Sequence, residues 1–136
     1  MRVAVGADEP CALVDGVTAH LEASGHEVVV PAPVGAPWTD VGQRVGEAVA
    51  EGTAEVGVVV CWTGTGVSIA ANKVPGVRAA LCGDVGTAIG ARRWNDANVL
   101  ALSQRLTTPA VAEEILDAFL ATDPDEGERA TIARLG

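Results

Sequence analysis

Basic residues are scarce in this 136-residue sequence. Nine lysines and arginines stand against eighteen aspartates and glutamates, which gives a formal net charge of −9 at pH 7. A nucleic-acid partner requires a basic face that neutralises phosphates, and this composition excludes one. We therefore expect a small-molecule ligand, and an anionic one would depend on a few local arginines and helix amino termini.

Cysteine and histidine are also rare. The three cysteines, Cys11, Cys61 and Cys82, lack the spacing of a zinc site, and their odd number favours reduced thiols over a disulfide framework. The two histidines, His20 and His26, lie outside the motifs described below. Because no cluster of ligand-type side chains is evident, we predict no bound metal.

Long hydrophobic runs are missing as well. No stretch of about 18 apolar residues exists, so the sequence predicts no membrane-spanning helix and no membrane partner. The first predicted strand begins beside Arg2, which leaves no room for a signal peptide, and we expect a cytoplasmic protein. A 49% apolar chain of this length buries roughly two-thirds of its unfolded surface, so we expect a single domain over residues 1–136.

Short apolar runs alternate with helical patterns along the chain. This alternation predicts a doubly wound (Rossmann-like) α/β fold with a five-stranded parallel sheet and a C-terminal helical extension. The predicted strands are 3–7, 27–31, 56–61, 78–82 and 97–102, and the predicted helices are 12–23, 41–51, 67–72, 85–93, 109–121 and 126–135. Asp84 and Thr108 are predicted helix N-caps, and the proline-rich segment 31–37 is predicted to be a loop near the ligand site.

The segment from Cys61 to Gly66 follows the predicted buried strand 56–61. Ligands of open α/β sheets bind at the carboxyl ends of strands. A thiol and a hydroxyl are groups that move a proton, and a Gly-Thr-Gly turn at a helix amino terminus holds an oxyanion. A helix amino terminus also favours the thiolate form of a nearby cysteine. Taken on chemistry alone, however, Cys61 is better explained as an inert residue at a strand end.

The Gly-Thr-Gly turn does not match a nucleotide-binding fingerprint. The third glycine position of a dinucleotide motif is Ile69, and the turn follows the third strand instead of the first. Lys73 lies seven residues beyond Gly66, which excludes a P-loop. We therefore predict no cofactor.

The run SIAANKVPGVRAALC at 68–82 and the run NDANVL at 95–100 resemble the family of type B ribose-5-phosphate isomerases and galactose-6-phosphate isomerase subunits. The likeness extends over nearly the whole chain. It implies an aldose–ketose isomerase in which Cys61 moves a proton between C1 and C2 of an opened sugar through an enediolate. The resemblance also implies that Thr63 moves protons on the sugar oxygens, and that backbone N–H groups of Thr63, Gly64, Thr65 and Gly66 hold the enediolate.

The resemblance further implies a homodimer whose active sites are shared between subunits. Asp8 corresponds to a residue that holds a substrate hydroxyl, whereas Asn95 and the phosphate-binding Arg129 reach in from the partner subunit. Arg134 lies one residue away from the position of the family's second phosphate-binding arginine. We expect Asp96 and Asn98 to be structural, because short polar side chains at such junctions commonly bond turn backbone.

Three departures from the family pattern fall in the site itself. Glu9 stands where the family has a phosphate-binding histidine, and a carboxylate repels a phosphate. Trp94 replaces the ring-opening histidine, and an indole cannot move a proton. Trp62 replaces a glycine and is expected to narrow the pocket, together with Trp38 from the neighbouring loop. Packing at a dimer interface is an equal explanation for the tryptophans.

These observations favour an isomerase whose substrate needs no ring opening. A tetrose 4-phosphate meets that condition, because its esterified O4 cannot close a furanose ring. An unphosphorylated or modified sugar would explain Glu9 better, and ribose 5-phosphate remains a third possibility. The alternative is a non-catalytic protein that binds a sugar derivative, or one subunit of a hetero-oligomeric isomerase.

Overall fold

The computed structural model describes all residues, 1–136. Its centre is a five-stranded sheet with the order β2-β1-β3-β5-β4, in which every pair of neighbours is parallel. The strands are β1 Arg2–Ala7, β2 Glu27–Val29, β3 Val56–Cys61, β4 Ala79–Leu81 and β5 Val99–Ser103. The predicted doubly wound α/β fold is confirmed.

Helices cover both faces of the sheet. They are α1 Ala12–Ala23, α2 Trp38–Ala50, α3 Thr65–Asn72, α4 Val85–Asn95, α5 Pro109–Ala121 and the short α6 Arg129–Ile132, which lies between 3₁₀ turns at Glu126–Glu128 and Ala133–Leu135. Helices α1, α4 and α5 form one layer over a large apolar core, and α2 and α3 form the other over a smaller core. No helix has the length and apolarity to cross a membrane.

The central strand β3 explains why the two layers are needed. All six of its residues are buried, and they point alternately into the two cores: Val58 and Val60 into one, Val59 and Cys61 into the other. A nearly continuous apolar run is typical of a parallel strand covered on both faces. On the α2–α3 side the helices approach closely, since a Cβ at Gly42 would lie 2.5 Å from the Ala70 Cβ.

The two predicted N-caps are confirmed. The Thr87 N–H donates to the Asp84 carboxylate at 2.7 Å, and the Val111 N–H donates to the Thr108 hydroxyl at 3.2 Å. The bond from Thr87 holds the pKa of the Asp84 carboxyl below its ordinary value. These caps satisfy amide groups that have no partner inside a helix.

Several predicted boundaries were wrong by a few residues. Helix α2 begins at Trp38 instead of residue 41, because its first intrahelical bond already runs from the Val41 N–H to the Pro37 carbonyl. The edge strands β2 and β4 have three residues each, since each has only one neighbour to bond. Strand β5 begins two residues later and ends one residue later than predicted, at Val99 and Ser103. The C-terminal extension is three short turns, and the Asp125 N–H joins it to the Arg93 carbonyl at 2.8 Å.

Candidate active site

The carboxyl ends of β1 and β3 border a cleft of about 320 Å³. It brings together seven residues that the sequence analysis placed in or near the site, and two of them are tryptophans. The lining residues are Asp8, Trp38, Cys61, Trp62, Thr63, Thr65 and Gly66. The fold therefore assembles a thiol, a carboxylate and two hydroxyls at the edge where open α/β sheets bind ligands.

Cys61 is the thiol that lines this cleft. It is the last residue of β3, is 6% exposed, and pairs in register with Ser103 of β5. The Cys82 thiol, by contrast, is fully buried, and burial, with a smaller contribution from the Asp84 charge, raises its pKa to about 11. Cys82 therefore stays protonated and inert.

The turn after Cys61 leaves a series of amide donors free. Gly64 caps α3 with φ of +78°, and a Cβ there would lie 2.5 Å from the Leu81 Cδ1 and 2.9 Å from the Leu102 carbonyl carbon. Only glycine fits that conformation and that space. The N–H groups of Thr63 to Gly66 donate to no group of the chain. Unpaired donors at a helix amino terminus form an anion-binding cradle.

The two threonines of the turn are bonded to each other. The Thr63 and Thr65 hydroxyl oxygens lie 2.8 Å apart, and both residues are exposed to the cleft side of the turn. A hydroxyl that shares its proton with a neighbour is suited to passing protons between ligand oxygens.

Two tryptophans border the cleft. Trp38, the first residue after the proline-rich loop, packs on Gly66, where an added Cβ would lie 3.0 Å from the indole. Trp62 is 55% exposed at the rim. The structure thus places Trp38 over the first turn of α3 and Trp62 beside the thiol.

The remaining predicted site residues lie elsewhere on the chain. Asn95 and Trp94 end α4 beside a separate groove, where the Trp94 indole lies so close to Gly90 that an added Cβ would be 2.7 Å from it. Arg129 forms an ion pair with Glu126 at 2.8 Å. Arg134 is exposed and makes no ion pair. Glu9 is exposed, next to Asp8 but outside the lining of the cleft.

Asp96 and Asn98 fix the segment that follows Asn95. Asp96 has φ of +47°, and its carboxylate accepts from Arg78 at 3.2 Å and from Arg92 at 3.1 Å. The Asn98 amide accepts from the Arg78 N–H at 2.8 Å and donates to the Gly76 carbonyl at 3.0 Å. Asn98 thus bonds loop backbone as expected, whereas the Asp96 carboxylate bonds two arginine side chains instead of turn backbone.

The loop that follows β5 also borders the end of β3, although no sequence motif placed it in the site. The Gln104 N–H donates to the Cys61 carbonyl at 3.0 Å, and the Arg105 N–H donates to the Trp62 carbonyl at 2.8 Å. Arg105 is exposed and makes no ion pair. The sequence feature that could have indicated this loop is the polar run Ser-Gln-Arg, which follows an apolar strand. This run lies at the sheet edge that also carries Cys61.

No group of three or more histidine, cysteine or acidic side chains comes together in a way that would hold a metal ion.

Comparison with known proteins gives consistent matches over most of the chain. The family model described as Ribose/Galactose Isomerase matches residues 3–134. A galactose-6-phosphate isomerase subunit LacB from Clostridium acetobutylicum is 41% identical over 107 residues, which cover 76% of this chain and 62% of that protein. The chain thus spans less than two-thirds of LacB.

Two other relatives are matched over nearly their whole length. A D-erythrulose-4-phosphate isomerase from Pectobacterium atrosepticum is 35% identical over 132 residues, 93% of this chain and 87% of that protein. The solved structure of ribose-5-phosphate isomerase B from Clostridium thermocellum has a TM-score of 0.94 and 36% identity, and the match covers 100% of this chain and 95% of that one.

Proposed function

The chain belongs to the ribose/galactose isomerase family, and from that premise we propose that it is an aldose–ketose isomerase of a small sugar phosphate, with Cys61 as the base. The observation that supports this proposal most strongly is the composition of the cleft. One thiol and one carboxylate lie beside Thr63, Thr65 and Gly66, whose amide N–H groups have no partner in the chain. An enediolate needs such a base and such donors.

The reaction divides into three proton movements. The Cys61 thiolate removes the proton from C2 of the open aldose, and the electron pair of that C–H bond forms the enediolate. The N–H groups of Thr63 to Gly66 hold the negative charge on the C1 oxygen. The Thr63 hydroxyl passes the C2 hydroxyl proton to that oxygen, and the Cys61 thiol returns its proton to C1, which gives the ketose and restores the thiolate.

Within the cleft, Asp8 is proposed to accept a hydrogen bond from a substrate hydroxyl. Its carboxylate makes no hydrogen bond to another side chain, and its backbone N–H is tied to the Val60 carbonyl at 3.3 Å at the end of β1. A carboxylate that has no partner in the chain, on a backbone anchored to β3, can accept a hydrogen bond from a ligand hydroxyl.

We propose that a second copy of the chain completes the site in a homodimer. No lysine or arginine lines the Cys61 cleft, and a phosphate needs cations. Asn95, Arg129 and Arg134 lie on parts of the chain that do not border that cleft, so they are assigned to the site of the partner subunit. Arg105, on the loop beside Trp62, is a further candidate for the phosphate from the same subunit.

The proposed substrate is a tetrose 4-phosphate. Trp94 and Trp62 support it, since the first cannot open a ring and the second narrows the cleft. The relative from Pectobacterium atrosepticum is named for a four-carbon sugar phosphate. The exposed carboxylate of Glu9 would repel a phosphate, which favours an unphosphorylated or modified sugar instead. Ribose 5-phosphate is the third substrate to test. We place this metabolic activity in the cytoplasm.

A coupled assay over tetrose, pentose and hexose phosphates and the free sugars tests the proposal. We expect the tetrose 4-phosphate to be turned over fastest. Cys61→Ser should lower kcat by roughly a hundredfold or more. Cys11→Ser is the matched control, because Cys11 lies outside the cleft, and it should retain activity. Full activity of Cys61→Ser on the best substrate would end the assignment of the base.

A second candidate is one half of a hetero-oligomeric isomerase or a non-catalytic sugar-derivative-binding protein. The specific observation in its favour is the likeness to LacB, which is named as a subunit. If the purified chain binds a sugar phosphate but turns over none of the panel, this candidate replaces the first.

A further inference from the structure

We propose that Ser103 is a positioning residue for the oxyanion donors, acting through the peptide bond between Trp62 and Thr63; this inference rests on the proposed isomerase function. Ser103 ends β5 and is 5% exposed. Its hydroxyl donates to the Trp62 carbonyl at 3.1 Å and accepts from the Leu106 N–H at 3.2 Å. A buried hydroxyl with both bonds made has one fixed orientation.

The bond to the Trp62 carbonyl sets the direction of the next amide. A trans peptide is planar, and its C=O and N–H point in opposite directions. The chain contains no cis peptide. The Trp62 carbonyl is held from the β5 side by two donors, the Ser103 hydroxyl and the Arg105 N–H at 2.8 Å. The Thr63 N–H therefore points away from the β5 loop.

That amide is one of the donors assigned to the enediolate. It donates to no group of the chain, and its residue lines the Cys61 cleft. The preceding peptide is fixed in the same way, because the Gln104 N–H donates to the Cys61 carbonyl at 3.0 Å. The loop after β5 thus holds two successive peptides at the end of β3.

The local side chain does not supply this anchoring. Trp62 is 55% exposed, so its partly packed indole restrains the following peptide less than a buried side chain would. Gly64, two residues later, has φ of +78° and adds no side-chain restraint. The carbonyl of Trp62 is therefore the point at which the orientation of the Thr63 N–H is decided.

Orientation matters because such donors act only when they are already aimed at the developing charge. Removing one oxyanion donor lowers kcat by about 10²–10³ in a comparable site. Ser103→Ala leaves the donor in place but removes one of the two bonds that aim it, so we expect kcat to fall by roughly tenfold or more. KM should change less, since the ground-state substrate carries no enediolate charge.

Thr107→Val is the matched control. Thr107 lies in the same loop, is 6% exposed, and its buried hydroxyl oxygen has no partner. Valine has the same shape, so we expect kcat and the affinity for a hydroxamate mimic of the enediolate to stay within about twofold of the unmodified protein.

Three measurements on the full chain test the proposal. The first is kcat and KM of both variants, and the second is their affinity for a hydroxamate mimic of the enediolate, which should fall in Ser103→Ala in proportion to kcat/KM. The third is the ¹H–¹⁵N resonance of the Thr63 amide, which should shift in Ser103→Ala and not in Thr107→Val.

The outcomes separate this inference from the proposed function. An inactive unmodified chain refutes the proposal that this chain is an isomerase by itself, and the Thr63 resonance still tests the positioning. A Ser103→Ala variant that keeps kcat, affinity for the mimic and the Thr63 resonance overturns the inference, even if its melting temperature falls, because a purely structural role predicts only that fall.

Discussion

Replacing Trp94 with histidine tests the substrate class most directly. A histidine at this position supplies the acid and base that opening of a sugar ring requires, which an indole lacks. We expect Trp94→His to raise kcat/KM for ribose 5-phosphate by roughly tenfold or more, at the low end of general acid–base effects. The rate with a tetrose 4-phosphate, which has no ring to open, should stay within about twofold.

The stability cost of this change can be worked out from the environment of Trp94. The residue is 55% exposed, so less than half of its surface is covered, and its indole packs on Gly90. Losing about 100 Å² of apolar contact amounts to ~2.5 kcal/mol, and the imidazole retains part of it. We expect the free energy of unfolding to fall by about 1–2 kcal/mol, because the vacated space opens to solvent and leaves no cavity.

The assay compares the two sugar phosphates at fixed enzyme concentration, with urea unfolding to confirm that the variant is folded. Arg93→His is the control, since it places a histidine on the same helical turn at a position with no expected role, and it should give no gain. If the unmodified protein turns over ribose 5-phosphate as well as the tetrose, another group opens the ring and the interpretation of Trp94 is wrong.

The remaining predictions concern the shared site and two structural features. Mixing inactive Cys61→Ser with inactive Asn95→Ala chains should restore activity, because a mixed dimer contains one intact site; no recovery despite demonstrated subunit exchange would contradict the shared site. Asp96→Ala should lower the free energy of unfolding by about 2–4 kcal/mol, since it breaks two part-buried ion pairs and strains a positive φ. Asp96→Asn tolerates that φ and should cost about half as much in urea unfolding; an equal cost would assign the effect to charge alone. The free energy of unfolding should fall as pH rises from 9.0 to about 11, because the Cys82 thiol ionises when unfolded but stays protonated when native. The free energy of unfolding should fall by about 2 kcal/mol over this range, and the fall should be absent in Cys82→Ala. An identical pH profile in both proteins would assign the fall to other titrating groups.

The fold followed from local patterns because each element is encoded by neighbouring residues. The run Val56–Cys61 is apolar at every position, which marks a strand buried on both faces. Asp84 and Thr108 have side chains that cap a helix from within three residues. The ends of edge strands were harder to place, because their length depends on how much of a neighbouring strand is available.

The candidate site could be predicted only in part. Cys61 and the Gly-Thr-Gly turn are contiguous, so a motif contains them. Ser103 lies 42 positions from Cys61 in the sequence, and nothing near it indicates that its hydroxyl meets the Trp62 carbonyl. That contact exists because β3 and β5 are adjacent in the sheet although they are not consecutive strands.

The sequence by itself thus determined the alternation of strands and helices, the chemistry of the cleft and the family, since these depend on residue type and short spacing. Tertiary structure alone decided which amides are left without partners, that the Cys82 thiol is sealed in the core, and that the Ser103 hydroxyl meets the Trp62 carbonyl. The physical reason is that strand order and helix packing bring together groups distant in sequence, and the resulting burial and hydrogen bonding set their chemistry.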